Sequence, residues 1–375
     1  MRETVRRLIA PLIAYRVVLV ALPLLSTYIL PPLFDVGVFR GQFQTEAATP
    51  GRAQLLETFD AQQYLHLSVY GYQPGQGPIA FWPLWPGCIA LGRLLGLTPL
   101  VSALLLSNAL AIAGALVFHR LAALDIGQSG ADVALLLLLA YPTAFYFALP
   151  YSESLFFLLV VVLFLALRTS QIAIATTAAT LTPLARPVGA FIVIPLLVHL
   201  FFVRRERSWE RRDVAPIGGA CAGVALYFAF MTIATGDPFA AFGAQKWFAS
   251  HGSLQRLLDP VAFVQVLFGP GKLLAFTGSL LDRIFFAFYV AMLVPIWLFN
   301  RTYFAYALVL GVIPAVTLYF ASFSRYTLVL FPMFIVLGKA LSTDRAKVWL
   351  PAILAISIAV QTLLYILHCN SHWVA

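Results

Sequence analysis

The segment "LIAPLIAYRVVLVALPLLSTYIL", residues 8–30, is the first of a series of apolar runs in this chain. An α-helix needs about 20 mainly apolar residues to cross a hydrocarbon core of about 30 Å, and this segment is long enough. It follows a basic start, but it is longer than the core of a signal peptide, and no clear small-x-small cleavage site follows it. The segment therefore predicts an uncleaved first transmembrane helix.

The composition extends this expectation to the whole chain of 375 residues. Hydrophobic residues make up 61% of the sequence and charged residues only 10%, whereas a soluble globular domain carries about 25% charged residues. The mean hydropathy is +0.90, and apolar runs recur as far as residue 368. The sequence predicts an all-α polytopic membrane protein that forms a single integral membrane domain over residues 1–375.

The basic residues predict the orientation of the chain in the membrane. The net charge of +9 would suggest a nucleic-acid partner in a soluble protein, but here the basic residues lie in short loops, so no nucleic acid is expected. The densest basic loops are "MRETVRR" (1–7) and "RRERSWERRD" (204–213), and the positive-inside rule places both in the cytoplasm. With a cytoplasmic N-terminus, residues 32–98 and 235–278 become long extracytoplasmic segments.

About eleven transmembrane helices satisfy this orientation. We expect them at about 8–31, 100–120, 131–148, 152–168, 171–187, 188–203, 214–234, 279–299, 302–320, 325–341 and 348–368.

Residues 81–97, "FWPLWPGCIALGRLLGL", are apolar, but the run is short and contains Pro83 and Pro86. We interpret it as a helix at the membrane interface, where tryptophan is enriched. A spanning helix here would invert every later loop, so that the two basic loops could not both be cytoplasmic. Residues 242–275 are amphipathic and are also expected to lie in the interface.

Four charged residues fall at the outer ends of the predicted helices: Asp60, Glu153, Arg186 and Arg325. A charge at the centre of a membrane helix costs about 2.5–3.5 kcal/mol, so these residues mark a candidate site. Each has an ordinary alternative, since arginine can snorkel, a loop aspartate can be solvated, and an acid at a helix start suits the helix dipole. Glu153 lies in "YSES", beside Tyr151. Two arginines on this side could hold phosphate oxygens in bidentate fashion.

Asp60 lies in "TFDAQQYLHLSVYGY", residues 58–72. If this segment is helical, Gln63 and Tyr64 at i+3 and i+4 share the face of Asp60, and His66 is close in sequence. Such a face could position a carboxylate.

The motifs around these residues are similar to those of a known family. "FDAQQYLHLSVYGY" followed by "AFWPLWP" resembles the signature of the PIG-V type mannosyltransferases, which comprise the second mannosyltransferase of GPI assembly and its prokaryotic relatives. "YPTAFYFALPYSESLFF", "LTPLARPVGA" and "SFSRYTLVLFPMF" resemble later blocks of the same family, in the same order, and the likeness spans residues 59–334. One departure is Phe59, which stands where the family usually has tryptophan.

The resemblance implies a GT-C glycosyltransferase fold, in which the first outer loop and its juxtamembrane helices carry the catalytic acid. It implies transfer of a mannosyl group from polyprenyl-phosphate (dolichyl-phosphate-like) mannose to an acceptor hydroxyl, with inversion. Inversion needs a base on the acceptor side and charge stabilisation of the leaving phosphate. Our hypothesis makes Asp60 the base and assigns Arg325 and Arg186 to the donor phosphate. Glu153 is the alternative base, or a residue that orients sugar hydroxyls. The candidates for binding sugar or acceptor are Tyr64, His66, Gln63, Tyr151 and Tyr326, of which Tyr64 and His66 could instead only pack the interface.

The sequence predicts no metal site and no cofactor besides the lipid-linked donor. It contains no Gly-rich phosphate cradle on the cytoplasmic side, which argues against a nucleotide-sugar donor. The first outer loop contains no Asp-x-Asp pair, and Asp35 and Asp60 are far apart in sequence. The three cysteines have no metal-binding spacing.

Three alternatives remain open at this point. A transporter or flippase for a polyprenyl-linked sugar could hold isolated charges, although no internal repeat is visible and the charges lie at outer helix ends. A structural membrane protein would not explain the ordered motifs. A transferase that uses another lipid-linked sugar would share all of these features. The expected partners are the bilayer, in a prokaryotic plasma membrane, the lipid-linked sugar and a glycolipid or glycan acceptor.

Overall fold

The computed structural model describes residues 2–29, 51–206, 210–248 and 252–374, and within these ranges the chain is helical and forms no β-strand. Short 3₁₀ turns connect several helices, among them Ala144–Ala148 and Pro187–Ile192. The α-helices are α1 (Arg2–Ile29), α2 (Asp60–Tyr70), α3 (Leu84–Arg93), α4 (Pro99–Ala140), α5 (Glu153–Arg168), α6 (Ile172–Ala185), α7 (Val193–Glu206), α8 (Ala215–Thr235), α9 (Ala240–Ala244), α10 (Pro260–Phe268), α11 (Leu280–Phe299), α12 (Arg301–Thr317), α13 (Phe323–Leu328), α14 (Phe331–Leu341), α15 (Asp344–Lys347) and α16 (Leu350–Cys369).

Five of the described segments are long and apolar enough to cross a membrane: Arg6–Ser26, Pro99–Ala140, Arg211–Thr235, Leu280–Phe299 and Leu350–Cys369. They support an integral membrane protein. The expected number of about eleven spans is not established by these helices, because several predicted spans form apolar helices of only 10–17 residues. At a rise of about 1.5 Å per residue, a helix of that length is shorter than the hydrocarbon core.

The helix α4 is a hairpin of two arms that meet at Gly127. This glycine has φ 73° and ψ 173°, which is outside the helical region and favours glycine. In a continuous helix, residues 119 and 132 would be about 20 Å apart, yet His119 Nε2 lies 2.8 Å from Asp132 Oδ1. The chain therefore reverses here, as the predicted helices at 100–120 and 131–148 require, although the second arm already ends at Ala140.

The predicted helix at 325–341 is divided into two helices, α13 and α14. The division coincides with Pro332, which lies in the first turn of α14. Proline lacks an amide hydrogen and is tolerated at a helix start, whereas inside a helix it removes a hydrogen bond. The break separates α13, which carries Arg325, from the apolar helix that comes after it.

Contacts at each end of the bundle join residues that the sequence places on the same side of the membrane. At one end, Arg7 Nη2 donates to Asp132 Oδ1 at 2.6 Å, and Tyr303 Oη donates to Asp125 Oδ2 at 2.5 Å. At the other end, Trp85 Nε1 donates to the Pro150 carbonyl at 3.1 Å. The last contact packs the helix α3 against the loop that leads into α5.

The helix α5 packs between α4 and α6, and most of its side chains are buried. Beside it, α6 and α8 approach closely through small residues, since a Cβ added at Gly223 would lie 2.1 Å from the Thr180 carbonyl oxygen. Small residues at helix interfaces are a common means of close packing in membranes. The helices α5 and α6 also pack against each other, and the Arg186–Glu153 ion pair joins the start of α5 to the residue after α6.

Candidate active site

The four charged residues singled out in the sequence meet at one place. Asp60 is the first residue of α2, Glu153 the first of α5, Arg186 follows the last residue of α6, and Arg325 lies in α13. Arg325 Nη1 donates to Asp60 Oδ2 at 2.5 Å. Arg325 Nε and Arg186 Nη1 both donate to Glu153 Oε1. Residues from four separate sequence motifs thus form one continuous ion-pair network.

The members of this network differ in their access to solvent. The side chain of Glu153 is 0% exposed, those of Arg325 and Arg186 are 6% and 7% exposed, and that of Asp60 is 21% exposed. Removing charges from water is costly unless each is paired, and here two carboxylates face two guanidinium groups. Of the two acids, Asp60 is the one that a ligand can reach.

Two tyrosines join the chain segments that carry the two carboxylates. Tyr64 Oη and Ser152 Oγ are 2.9 Å apart, which ties α2 to the residue that precedes Glu153. Tyr151 Oη donates to the Thr58 carbonyl at 2.7 Å, two residues before Asp60. Burial raises the pKa of both phenols, Tyr64 and Tyr151, above the usual value. They therefore stay protonated and act as hydrogen-bonding groups, not as bases.

Aromatic rings support the side chain of Arg325, and two buried side chains hold the backbone of Ser324, the residue before it. Its Cζ lies 4.7 Å from the centroid of the Tyr151 ring and 5.1 Å from that of Tyr146. Cations are attracted to the faces of aromatic rings. Asp282 Oδ1 accepts a hydrogen bond from the Ser324 amide at 2.9 Å, and the Thr143 hydroxyl donates to the Ser324 carbonyl at 2.9 Å. These contacts fix the start of the short helix α13.

Two further residues near the network, Asp282 and His368, were not predicted from the sequence. Asp282 is buried and closes "SLLD" (279–282), a Ser-x-x-Asp pattern that reads as an ordinary helix cap. Its second contact, to Ser324, depends on tertiary structure and has no local signal. His368 Nε2 lies 3.1 Å from Tyr151 Oη, and no motif surrounds this histidine.

The other predicted binding residues occupy different surroundings. The Tyr326 ring centroid lies 5.0 Å from Arg186 Cζ, so this tyrosine belongs to the network. Gln63 is buried on α2. His66 Nε2 lies 3.3 Å from Gln76 Oε1, and its ring centroid lies 4.8 Å from that of Tyr70. These contacts hold His66 within the first outer segment.

Several buried polar atoms beside the network have no hydrogen-bond partner among the described residues. They include Thr58 Oγ1 and Gln62 Oε1, which flank Asp60, Ser324 Oγ, which precedes Arg325, and Glu153 Oε2. A buried polar atom without a partner is costly and calls for an explanation. Hydroxyl groups of a ligand or bound water would satisfy these atoms. In the described part of the chain, no group of three or more His, Cys, Asp or Glu residues could hold a metal ion.

Comparison with known proteins gives structural similarity only. No protein-family model and no curated protein matches the chain. The oligosaccharyltransferase of Archaeoglobus fulgidus in complex with Zn and sulfate matches at 14% identity and a TM-score of 0.49, over 95% of this chain and 53% of that one. Its apo form matches at 15% identity and a TM-score of 0.48, over 96% of this chain and 56% of that one.

A third structure, the archaeal oligosaccharyltransferase AglB from Archaeoglobus fulgidus with an inhibitory peptide and a dolichol-phosphate, matches at 13% identity and a TM-score of 0.46, over 96% of this chain and 56% of that one. This chain therefore spans about half the length of the structures it matches. At this level of similarity, the matches do not define the activity of the chain.

Proposed function

We propose that this protein is a membrane-embedded glycosyltransferase of the GT-C type. It would transfer a mannosyl group from polyprenyl-phosphate mannose to a hydroxyl of a glycolipid or glycan acceptor, outside the cytoplasm and with inversion. One observation carries the proposal: the charged residues of four sequence motifs, Asp60, Glu153, Arg186 and Arg325, form one ion-pair network.

Asp60 is the proposed general base. It is the more exposed of the two carboxylates, and two buried polar atoms without partners flank it. As the acceptor oxygen attacks the anomeric carbon, its proton would pass to Asp60. A positioned base contributes typically about 10²–10⁴ in rate.

Arg325 and Arg186 are the proposed ligands of the donor phosphate. The bond between the anomeric carbon and the phosphate oxygen breaks, and the electron pair leaves with the phosphate, where guanidinium groups stabilise it. Arg325 Nη1 donates directly to Asp60 Oδ2. The phosphate would therefore replace the Asp60 carboxylate on Arg325, which leaves Asp60 free on the acceptor side.

Glu153 is the alternative base, but its surroundings favour a supporting role. It is fully buried, and a single oxygen receives hydrogen bonds from both arginines. A carboxylate held in this way orients the two guanidinium groups toward a shared anion. An acceptor hydroxyl would have to displace both arginines to reach this oxygen.

The lipid tail of the donor requires an apolar surface beside the site. In the interfacial segments that the sequence predicts, the exposed apolar side chains include Leu94 and Leu95 after α3, and Leu258 and Phe268 around α10. Their exposure supports a path for the polyprenyl chain along residues 81–97 and the described part of 242–275.

The test is sugar transfer by the purified, lipid-reconstituted protein from polyprenyl-phosphate mannose to a panel of glycolipid acceptors. Asp60→Asn and Glu153→Gln are compared with the wild type, and Asp344→Asn, at an exposed aspartate in α15, is the matched control. We expect transfer by the wild type and the control, and none by Asp60→Asn.

Other outcomes would redirect the proposal. Activity retained by Asp60→Asn and lost by Glu153→Gln would reverse the two roles. Transfer only from another lipid-linked sugar would correct the donor. Movement of the lipid-linked sugar across the bilayer without transfer would make the protein a transporter.

A further inference from the structure

The residue immediately before Asp60 has an unusual backbone. Phe59 has φ 50° and ψ −117°, and a bulky L-residue rarely adopts a positive φ. Such a conformation persists only where surrounding contacts hold it, and it tends to occur at functional sites. The contacts that hold Phe59 therefore also determine the start of α2 and the position of the Asp60 Cα atom.

The contacts to the Phe59 ring come from the distant C-terminal part of the chain. The ring centroid lies 5.1 Å from that of His368, near the end of α16, and 5.0 Å from that of Trp373 in an edge-to-face arrangement. Trp373 lies in turn 4.5 Å from the Phe276 ring. Aromatic pairs at these distances and angles are favourable. Phe59 thus packs against two aromatic residues that are more than 300 positions away in the sequence.

A chain of hydrogen bonds reaches the same turn through its backbone. Tyr151 Oη donates to the Thr58 carbonyl at 2.7 Å, so this hydroxyl can only accept at its 3.1 Å contact with His368 Nε2. His368 Nε2 must then carry the proton, and Nδ1 accepts from Tyr146 Oη at 3.3 Å. One neutral tautomer of His368 satisfies the whole chain.

The same hydrogen-bond chain includes the two tyrosines whose rings pack against Arg325. The rings of Tyr146 and Tyr151, which His368 links, are the two rings against which the Arg325 guanidinium lies. His368 therefore connects the turn before Asp60 with the aromatic support of its ion-pair partner. A displacement of His368 would disturb the Asp60 turn through the backbone and through the Phe59 ring at once.

We infer that His368 and Trp373 form a clamp that positions Asp60 for proton transfer, an inference that rests on the proposed function. Both are positioning residues, since they act through Phe59 and Thr58. Without the clamp, Phe59 relaxes to an ordinary φ and the Asp60 carboxylate shifts. Small misplacements of reacting groups can cost on the order of 10²-fold in rate. The arginines keep their contacts with Glu153, so the loss falls mainly on kcat and less on the donor KM.

The kinetic test compares Trp373→Ala and His368→Gln with the wild type and with a matched control, Trp349→Ala. Trp349 is 67% exposed and precedes the other end of α16. We expect kcat to fall by about ten- to a hundredfold in the clamp variants, with a smaller change in the donor KM, and no change in either constant in Trp349→Ala. Trp373→Phe keeps an aromatic edge against Phe59 and should restore most of kcat. Unchanged kcat in both clamp variants, or an equal fall in Trp349→Ala, overturns the inference.

A second measurement does not depend on activity. Hydrogen exchange of the backbone amides is followed by mass spectrometry for residues 58–62 and, as a reference, for α8. The clamp predicts faster exchange at 58–62 in Trp373→Ala, with α8 unchanged. Equal exchange rates in the wild type and Trp373→Ala overturn the clamp. Faster exchange with unchanged kcat overturns the positioning role. If the wild type transfers no sugar, the proposed function fails, while the exchange result still decides whether the clamp holds the turn.

Discussion

Arg325 Nη1 lies 2.5 Å from Asp60 Oδ2, so a guanidinium and a carboxylate that are 265 positions apart in the chain form a direct ion pair. The same guanidinium also donates to Glu153 through Nε. Arg325 thus contacts both the proposed base, Asp60, and the buried carboxylate of Glu153. In the proposed mechanism, the donor phosphate would compete with Asp60 for Nη1 of this arginine.

This competition predicts that Asp60→Asn binds lipid phosphate more tightly than the wild type while it loses transfer. Removing the Asp60 charge leaves Arg325 Nη1 without an ionic competitor, and charge-assisted hydrogen bonds to phosphate are the stronger ones. Equilibrium binding of polyprenyl phosphate to reconstituted protein measures the effect, with Asp344→Asn as control. Weaker binding in Asp60→Asn would show that Asp60 takes part in donor binding instead.

Glu153→Gln is expected to destabilise the fold strongly. Glu153 is fully buried and compensates two buried arginines, and removing one partner of such a group costs about 3–5 kcal/mol. The matched control is Glu210→Gln, which removes a salt bridge whose Arg212 and Glu210 side chains are 66% and 55% exposed. An exposed pair contributes about 0–1 kcal/mol. Thermal unfolding in detergent compares the two, and equal melting temperatures would contradict the supporting role of Glu153.

Asp282→Ala is expected to raise the donor KM. Asp282 accepts from the Ser324 amide, and an orphaned buried amide costs about 1–3 kcal/mol. The start of α13 would then loosen, and Arg325 with it. Steady-state kinetics with varied donor measures the change. Asp344→Ala, at an exposed aspartate of α15, is the control. A normal donor KM in Asp282→Ala would mean that α13 is held by other contacts.

The hairpin in α4 predicts that substitution by alanine destabilises the protein at one glycine but not at another. Gly127→Ala places a Cβ at φ 73°, which costs about 1–2 kcal/mol. Gly218 lies in helix α8 with open space around its Cα, so Gly218→Ala should be neutral or slightly stabilising. Thermal unfolding of both variants checks this, and equal effects would argue against a required reversal at Gly127.

The sequence predicted helix bounds and the side of the membrane of the charged residues best where apolar pattern and sequence motif agree. The predicted helices at 152–168, 214–234 and 279–299 lie within one residue of α5, α8 and α11 at each end, because apolar runs between polar or charged residues define them. The predicted topology placed Asp60 and Arg325 on one side of the membrane, and the structure brings them into contact. The contacts of these residues now carry the proposed function.

The remaining features depend on tertiary geometry. The contact of Asp282 with the Ser324 amide, and those of His368 with Tyr151 and Phe59, join segments with no shared motif. The early end of α4 at Ala140 is followed by a buried 3₁₀ turn, Ala144–Ala148, whose aromatic residues fit an apolar helix equally well by composition. Hydropathy cannot distinguish a buried turn from a spanning helix.

The convergence of two guanidinium groups on one oxygen of Glu153 has a consequence for product release in the proposed reaction. The proposed donor is a phosphodiester with one negative charge, whereas the polyprenyl phosphate that it would release is a monoester with about 1.5–2 negative charges at neutral pH. Paired arginines hold the more highly charged group more firmly. The spent lipid would then occupy the site against fresh donor, so the pace of repeated turnover would be set by how fast lipid phosphate leaves the outer leaflet.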